Sequence, residues 1–264
     1  MTPNERPTAR LRRLLQGPGC VPAPEAADGL TARLIARAGF QALYVSGGGT
    51  SLNRLGLPGA GLLTATEMVD NASRIFDACG LAVVADAGTG YGNPINVRRT
   101  VRDFEKAGVA ALHIEDQGLP AAEMVAKIRA ACDARRDPDL VLIARAGAAE
   151  RARSYREAGA DMILVDALAH AAARDLAGIP LACRVAAGAA AFPGCKLALH
   201  TDLAVLAAIP RIEHMLSELK KRGGIGHLRG EMANFAEFTE IAGIAEVQEL
   251  ENRYGVPEEQ RTRL

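Results

Sequence analysis

Short apolar or β-branched runs alternate along most of this chain with amphipathic runs of about 10–15 residues, the rhythm of parallel βα units. It predicts eight strands, near Gly19–Pro22, Ala42–Ser46, Ala82–Ala85, Ala111–Ile114, Leu140–Ala144, Met162–Val165, Leu181–Val185 and Lys196–Leu199. Between them it predicts helices such as Thr31–Ala38, Thr66–Cys79, Asn96–Ala107, Ala121–Arg135 and Ala148–Ala158. Gly39, Gly80, Gly108 and Gly159 stand where helices should stop, since glycine takes the left-handed conformation without a Cβ penalty. Eight such units predict a (β/α)8 barrel, with its working residues at the C-terminal rim of the strands. A doubly wound open sheet is the alternative, but no GxGxxG motif follows the first strand. From 204 the rhythm changes to helices alone: Ala204–Arg222, a break at Gly223-Gly224-Ile225-Gly226, then Asn234–Ile241 and Ala245–Tyr254. The expectation is one barrel domain over 1–264, with 204–264 as a helical tail. These helices exceed what closes a barrel, so they are expected to pack on a neighbouring subunit in an oligomer.

The 264 residues are 49% hydrophobic, enough for one large core. Lys+Arg and Asp+Glu both total 31, and zero net charge lends no support to nucleic acid or an acidic membrane as partner. No apolar run approaches the length of a membrane-spanning helix. The basic N-terminus, with Arg6, Arg10, Arg12 and Arg13, lacks the apolar core of a signal peptide. Five scattered cysteines without a CxxC pair suit reduced thiols in a cytoplasmic protein.

Chemistry concentrates between Leu81 and Gln117. Two adjacent strands there deliver Asp86-Ala87-Gly88-Thr89-Gly90-Tyr91-Gly92 and Glu115-Asp116-Gln117 to the same rim. Carboxylates so placed suit a hard divalent cation, which prefers oxygen ligands.

Together with Tyr44-Val45-Ser46-Gly47, Leu55-Gly56-Leu57-Pro58, His113-Ile114-Glu115-Asp116-Gln117, Asp137-Pro138-Asp139, Ile143-Ala144-Arg145 and Glu157–Met162, these segments resemble the isocitrate lyase/phosphoenolpyruvate mutase superfamily. The resemblance runs in register from about Leu11 to Gly255. It implies a (β/α)8 barrel with a helix exchanged between subunits, usually in a dimer of dimers. It also implies Mg2+ and a small 2-oxo or 2-hydroxy carboxylate, whose adjacent oxygen gains charge as an enolate when a bond breaks. Carried over, Tyr44, Ser46, Gly47 and Gly48 would contact substrate, Asp86 and Glu115 would hold Mg2+ mostly through water, and Arg145 would pair with a carboxylate.

The departures are as informative. Gly88 replaces an aspartate that is commonly the direct metal ligand, and Gly59 replaces another acid, so Mg2+ binding is weakened. After Gln117, Gly118-Leu119-Pro120 leads almost directly into a helix where the lyases carry a gating loop with a catalytic cysteine. Without such a lid, water is not excluded in the usual way. Ala146-Gly147-Ala148 follows Arg145 in place of Thr-Asp-Ala, and Cys183-Arg184-Val185 replaces the polar seventh strand. Asp166 stands where a glutamate is common. Arg184 is a newcomer that favours an anionic ligand.

Each residue has a structural alternative. Asp86 could cap a turn, and Glu115 and Arg145 could pair with each other or with Asp166. His113 reads as core, Cys183 as buried filler, and His200 and His227 as outside candidates for the rim. The leading expectation is a divergent carbon–carbon lyase or decarboxylase using Mg2+ weakly or not at all. The alternatives are a degenerate barrel serving as a binding or scaffold protein, and a hydrolase that needs no gate cysteine.

Overall fold

In the computed structural model, residues 5–166, 176–191 and 193–262 are described. The chain divides into two compact units, 1–206 and 207–264. The first holds eight parallel strands: β1 (Val21–Pro24), β2 (Ala42–Val45), β3 (Ala82–Asp86), β4 (Ala111–Glu115), β5 (Val141–Arg145), β6 (Met162–Asp166), β7 (Leu181–Val185) and β8 (Cys195–His200). Hydrogen-bonded neighbours run β1-β8-β7-β6-β5-β4-β3-β2. A single parallel bridge between Glu25 and Tyr44, with the Ala26 amide donating to the Tyr44 carbonyl at 2.8 Å, joins the last pair. The sheet is thereby a nearly closed (β/α)8 barrel.

Side chains alternate across each strand, so successive residues face the barrel interior and the helices. One buried cluster fills the interior: Ala23, Tyr44, Val84, Ile143, Leu164 and Leu199 belong to it. The intervening residues, among them Leu43, Val83, Leu112, Leu142 and Ile163, join the helix-facing core. Burial on both faces explains why the strands read as continuous apolar runs.

Among the described residues, the helices between these strands and before them are α1 (Pro7–Gln16), α2 (Gly29–Arg37), α3 (Gly47–Leu55), α4 (Ala65–Cys79), α5 (Pro94–Lys106), α6 (Ala121–Ala134) and α7 (Ala149–Glu157). All four glycines expected to stop helices have positive φ. Gly108 is also a close approach, because a Cβ there would lie 2.4 Å from the Phe76 ring.

Three expectations shift. β1 begins two residues later than the pattern placed it, because Gly19 turns at φ 84° before the strand. The link from β7 to β8, 186–194, carries no helix among its described residues, being too short for a packed turn-helix-turn. The basic N-terminus, which the pattern left unassigned, is α1. Its Leu11 is fully buried and belongs to the barrel-interior cluster. Its arginines bind the ends of neighbouring elements: Arg10 donates to the Gly80 carbonyl at 2.8 Å, and Arg12 pairs with Asp161 at 2.9 Å.

The second unit begins within α8 (Leu203–Arg222) and continues through α9 (Phe235–Ala242) and α10 (Ile244–Arg253). Asn234 and Glu237 form a capping box on α9. None of these three helices buries a residue. Leu206, Ile209, Ile212, Leu216 and Leu219 recur along α8 at three- and four-residue steps and are all exposed.

Truncating Leu11 should unseat α1 from the barrel. Leu11→Ala is expected to cost about 2–5 kcal/mol, as buried leucines typically do, read as a lower denaturant midpoint with an unchanged slope.

Candidate functional site

The interior positions of the strands stay apolar until their last step and then turn polar. Following Val21 and Ala23, the next inward position is Glu25; following Ala42 and Tyr44, it is Ser46; following Ala82 and Val84, it is Asp86. On β4, His113 and Glu115 take these places; on β5 it is Arg145, on β7 Arg184. The parallel register sets Asp86 beside His113, Glu115 beside Arg145, and Asp166 beside Arg184. The Asp166 side chain lies outside what the structure describes.

Glu115 is buried and accepts from both the Arg145 guanidinium and the Gln117 amide. Asp86 accepts backbone protons instead, from Gly88 N at 2.8 Å and Gly47 N at 3.1 Å. The His113 Nε2 lies 3.0 Å from the Tyr44 hydroxyl and 3.7 Å from Asp86 Oδ1, and its Nδ1 is buried without a partner. Burial pushes the His113 pKa down, which keeps the ring neutral, and pushes the Tyr44 hydroxyl up. The charges of Arg145 and Arg184 both reach these two rings.

Ser46 caps α3: its Oγ accepts from Gly49 N at 2.8 Å and donates to Glu25 Oε1 at 2.5 Å. The other Glu25 oxygen accepts from Asp202 N at 2.6 Å. The carboxylate fits only because position 49 is glycine, since a Cβ there would stand 1.7 Å from Glu25 Oε1. Burial raises the Glu25 pKa, opposed by the hydrogen bonds from the Ser46 hydroxyl and the Asp202 amide and aided by the charges of Asp202 and Asp86.

A cavity of about 280 Å³ opens among these groups, lined by Gly47, Gly48, Gly59, Asp86, Gly88 and Glu115. Its loop after β3 is fixed from outside. The buried Lys127 ammonium donates to the Thr89 carbonyl at 3.1 Å, and Thr100 Oγ1 to that of Gly90 at 3.0 Å. Among the described residues the link after β4 is too short for a lid: Gly118 turns at φ 79°, Pro120 stands at the N-cap of α6, and the helix starts at Ala121. Asp116 is turned into the wall, held by Arg151 at 3.1 Å and the Tyr155 hydroxyl at 2.9 Å.

Thus Tyr44, Ser46, Gly47, Gly48, Asp86, His113, Glu115, Arg145 and Arg184 gather at one rim. Cys183 does not; it is fully buried in the helix-facing core, on the opposite side of its strand. His200 ends β8, half-buried, and its carbonyl accepts from Glu25 N at 2.9 Å. His227 belongs to the second unit and lies 3.3 Å from Glu218. Glu25 escaped the sequence reading because β1 was placed two residues early. With the correct register, the spacing 21, 23, 25 points to it.

The residues present do not fit a directly ligated divalent cation. Among the described residues no group of three or more His, Cys, Asp and Glu side chains is arranged for a metal. Every oxygen of Asp86 and Glu115 already accepts a proton from the protein. Gly59 and Gly88 supply no others.

The phosphoenolpyruvate phosphomutase family model matches residues 11–193. The 2,3-dimethylmalate lyase of Eubacterium barkeri is 35% identical, with 93% of this chain and 97% of that protein covered. That alignment spans 281 positions, more than this chain's own 264, so the relative carries segments that this chain lacks. An oxaloacetate acetylhydrolase solved with its product oxalate superposes with a TM-score of 0.86 at 30% identity, covering 95% of this chain and 98% of that one. A phosphonopyruvate hydrolase solved with oxalate and Mg2+ superposes with a TM-score of 0.85 at 26% identity, covering 95% and 99%.

Because Glu25 holds its proton more tightly folded than unfolded, its contribution to stability is complete below the usual glutamate pKa and is lost as pH rises through the raised value. Glu25→Gln cannot ionise. Its melting temperature relative to the native protein is therefore expected to climb from pH 4.5 towards neutrality. A constant difference across that window would contradict this.

Proposed function

The chain belongs to the phosphoenolpyruvate phosphomutase family of the isocitrate lyase/phosphoenolpyruvate mutase superfamily, and on that premise we propose that it cleaves or decarboxylates a small 2-oxo or 2-hydroxy carboxylate. The observation that carries this reading is the inward polar layer at the barrel mouth, where Arg145 stands beside Glu115 above an otherwise apolar interior. A substrate carboxylate would take two parallel hydrogen bonds from the Arg145 guanidinium, whose planar fork matches it. The amide of Gly48, at the start of α3, would meet the oxygen on which charge develops as the bond breaks. Arg184 would receive a second anionic group. Ser46 and Tyr44 would orient the substrate, with neutral His113 behind them.

Mg2+ accompanies oxalate in the phosphonopyruvate hydrolase. In this chain the reading is of a cation held weakly through water by Asp86 and Glu115, or dispensable. A second reading, a barrel kept for binding alone, draws on the pairing of Glu115 with Arg145 and Gln117. Oxaloacetate and 2,3-dimethylmalate distinguish the two. Cleavage followed by NMR is expected for at least one 2-oxo or 2-hydroxy acid. Arg145→Ala should lower the rate on the order of 100-fold, the usual scale for a lost charge-stabilising donor. Arg145→Lys should restore little of it, lacking the bidentate fork. No turnover while oxalate still binds would favour the binding protein.

No helix of the described residues is long and apolar enough to cross a membrane. None of the five cysteines forms a disulfide, which suits a reducing cytoplasm. The exposed apolar stripe of α8, with Phe235, Phe238 and Leu250 beyond it, suits a second copy of this chain as partner. Ile212→Asp combined with Leu216→Asp should then shift the native mass by light scattering from an oligomer to the monomer. An unchanged mass would exclude this stripe as the interface.

A further inference from the structure

We propose that the mouth of this barrel binds its carboxylate ligand without a divalent cation, a resident guanidinium supplying the positive charge, and that one carboxylate, at position 88, separates it from a cation site. The inference deepens the carboxylate reading above and rests on it.

The two glycines that stand in place of acids are not equivalent. A Cβ at Gly59 would lie 2.6 Å from the Gly48 Cα and 3.3 Å from its nitrogen. Backbone, which cannot swing aside as a side chain can, fills that space. The segment bearing Gly59 lies against the start of α3, and a side chain at 59 fits only if one of them moves. Gly88 is open: the nearest atom to a Cβ there is the Tyr91 Cζ at 4.0 Å. Its φ of +51° is one that aspartate adopts more readily than most residues.

The acids that remain are spoken for. A cation drawn to Glu115 would have to displace the Arg145 guanidinium, which is only about a quarter exposed, or sit beside it. Either arrangement sets two positive charges against each other in a partly desolvated mouth, where repulsion is weakly screened. Asp86 is turned onto the Gly47 and Gly88 amides, so its charge is already balanced by backbone dipoles. An anion meets the opposite situation. The Arg145 guanidinium stays charged whatever it pairs with, and its charge attracts a ligand carboxylate entering the mouth. Glycine at 59 and 88 removes two negative charges that would repel that ligand in a cation's absence.

Oxalate is the probe, titrated calorimetrically into the full-length protein with EDTA and again with excess Mg2+. The native dissociation constant is expected to differ by less than about twofold between the two buffers, well under the tenfold that corresponds to 1.4 kcal/mol. In Gly88→Asp, oxalate should bind at least about tenfold more tightly with Mg2+ than with EDTA. Native protein that binds oxalate only with Mg2+ overturns this inference and leaves the carboxylate reading standing. Native protein that binds no oxalate in either buffer overturns both. Gly88→Asp that folds and gains nothing from Mg2+ overturns the part assigned to position 88.

Discussion

The two-residue alternation of a parallel strand, closed into a barrel, is the constraint on which this molecule depends. It forces every second side chain into a space with no water, so those positions must be apolar until the strand emerges. At the emergence the same alternation delivers Glu25, Ser46, Asp86, Glu115, Arg145 and Arg184 to one ring. Parallel register then decides which of them meet. Glu115 faces Arg145 because their strands pair residue for residue, with no intervening bulge. Site and core are thus one pattern read at two heights, and α1 closes the lower end with Leu11.

Much of this was legible in the chain. The short apolar runs and glycine stops located the eight strands, β1 two residues early, and the motifs at Tyr44, Asp86, Glu115 and Arg145 marked the rim. What escaped had physical reasons. In α1 the apolar residues Leu11, Leu14 and Leu15 sit among arginines that serve as anchors, so the segment looked merely basic. Glu25 hid behind Pro22 and Pro24, which made the end of β1 ambiguous by one step of the alternation. No local signal could report that Gly59 lies against Gly48, because that contact depends on how the chain leaving α3 folds back on the helix's first turn. Nor could the sequence tell which partner Glu115 would take, since register across strands and rotamer choice decide it.

The open mouth and the internal ion pair act on the chemistry in the same direction. Departing charge on an oxygen is stabilised best where water is excluded. Among the described residues the tight turn at Gly118 offers no cover on the β4 side, and where water enters, the field from a point charge is screened. A guanidinium loses less in that setting, because its contribution is carried by directed hydrogen bonds as well as by charge. Arg145 therefore suits an open site as a partner for a carboxylate.

The same exposure discriminates among the reactions of the superfamily. A mutase must hold its enolate intact until the migrating group is recaptured, and solvent protons compete with that recapture. A cleavage or decarboxylation ends with the enolate taking up a proton, so water at the mouth completes the reaction. Asp86 and Glu115 are both engaged as hydrogen-bond acceptors, and the buried His113 is neutral beside the Tyr44 hydroxyl. A site that admits solvent thus suits a lyase or decarboxylase better than a mutase.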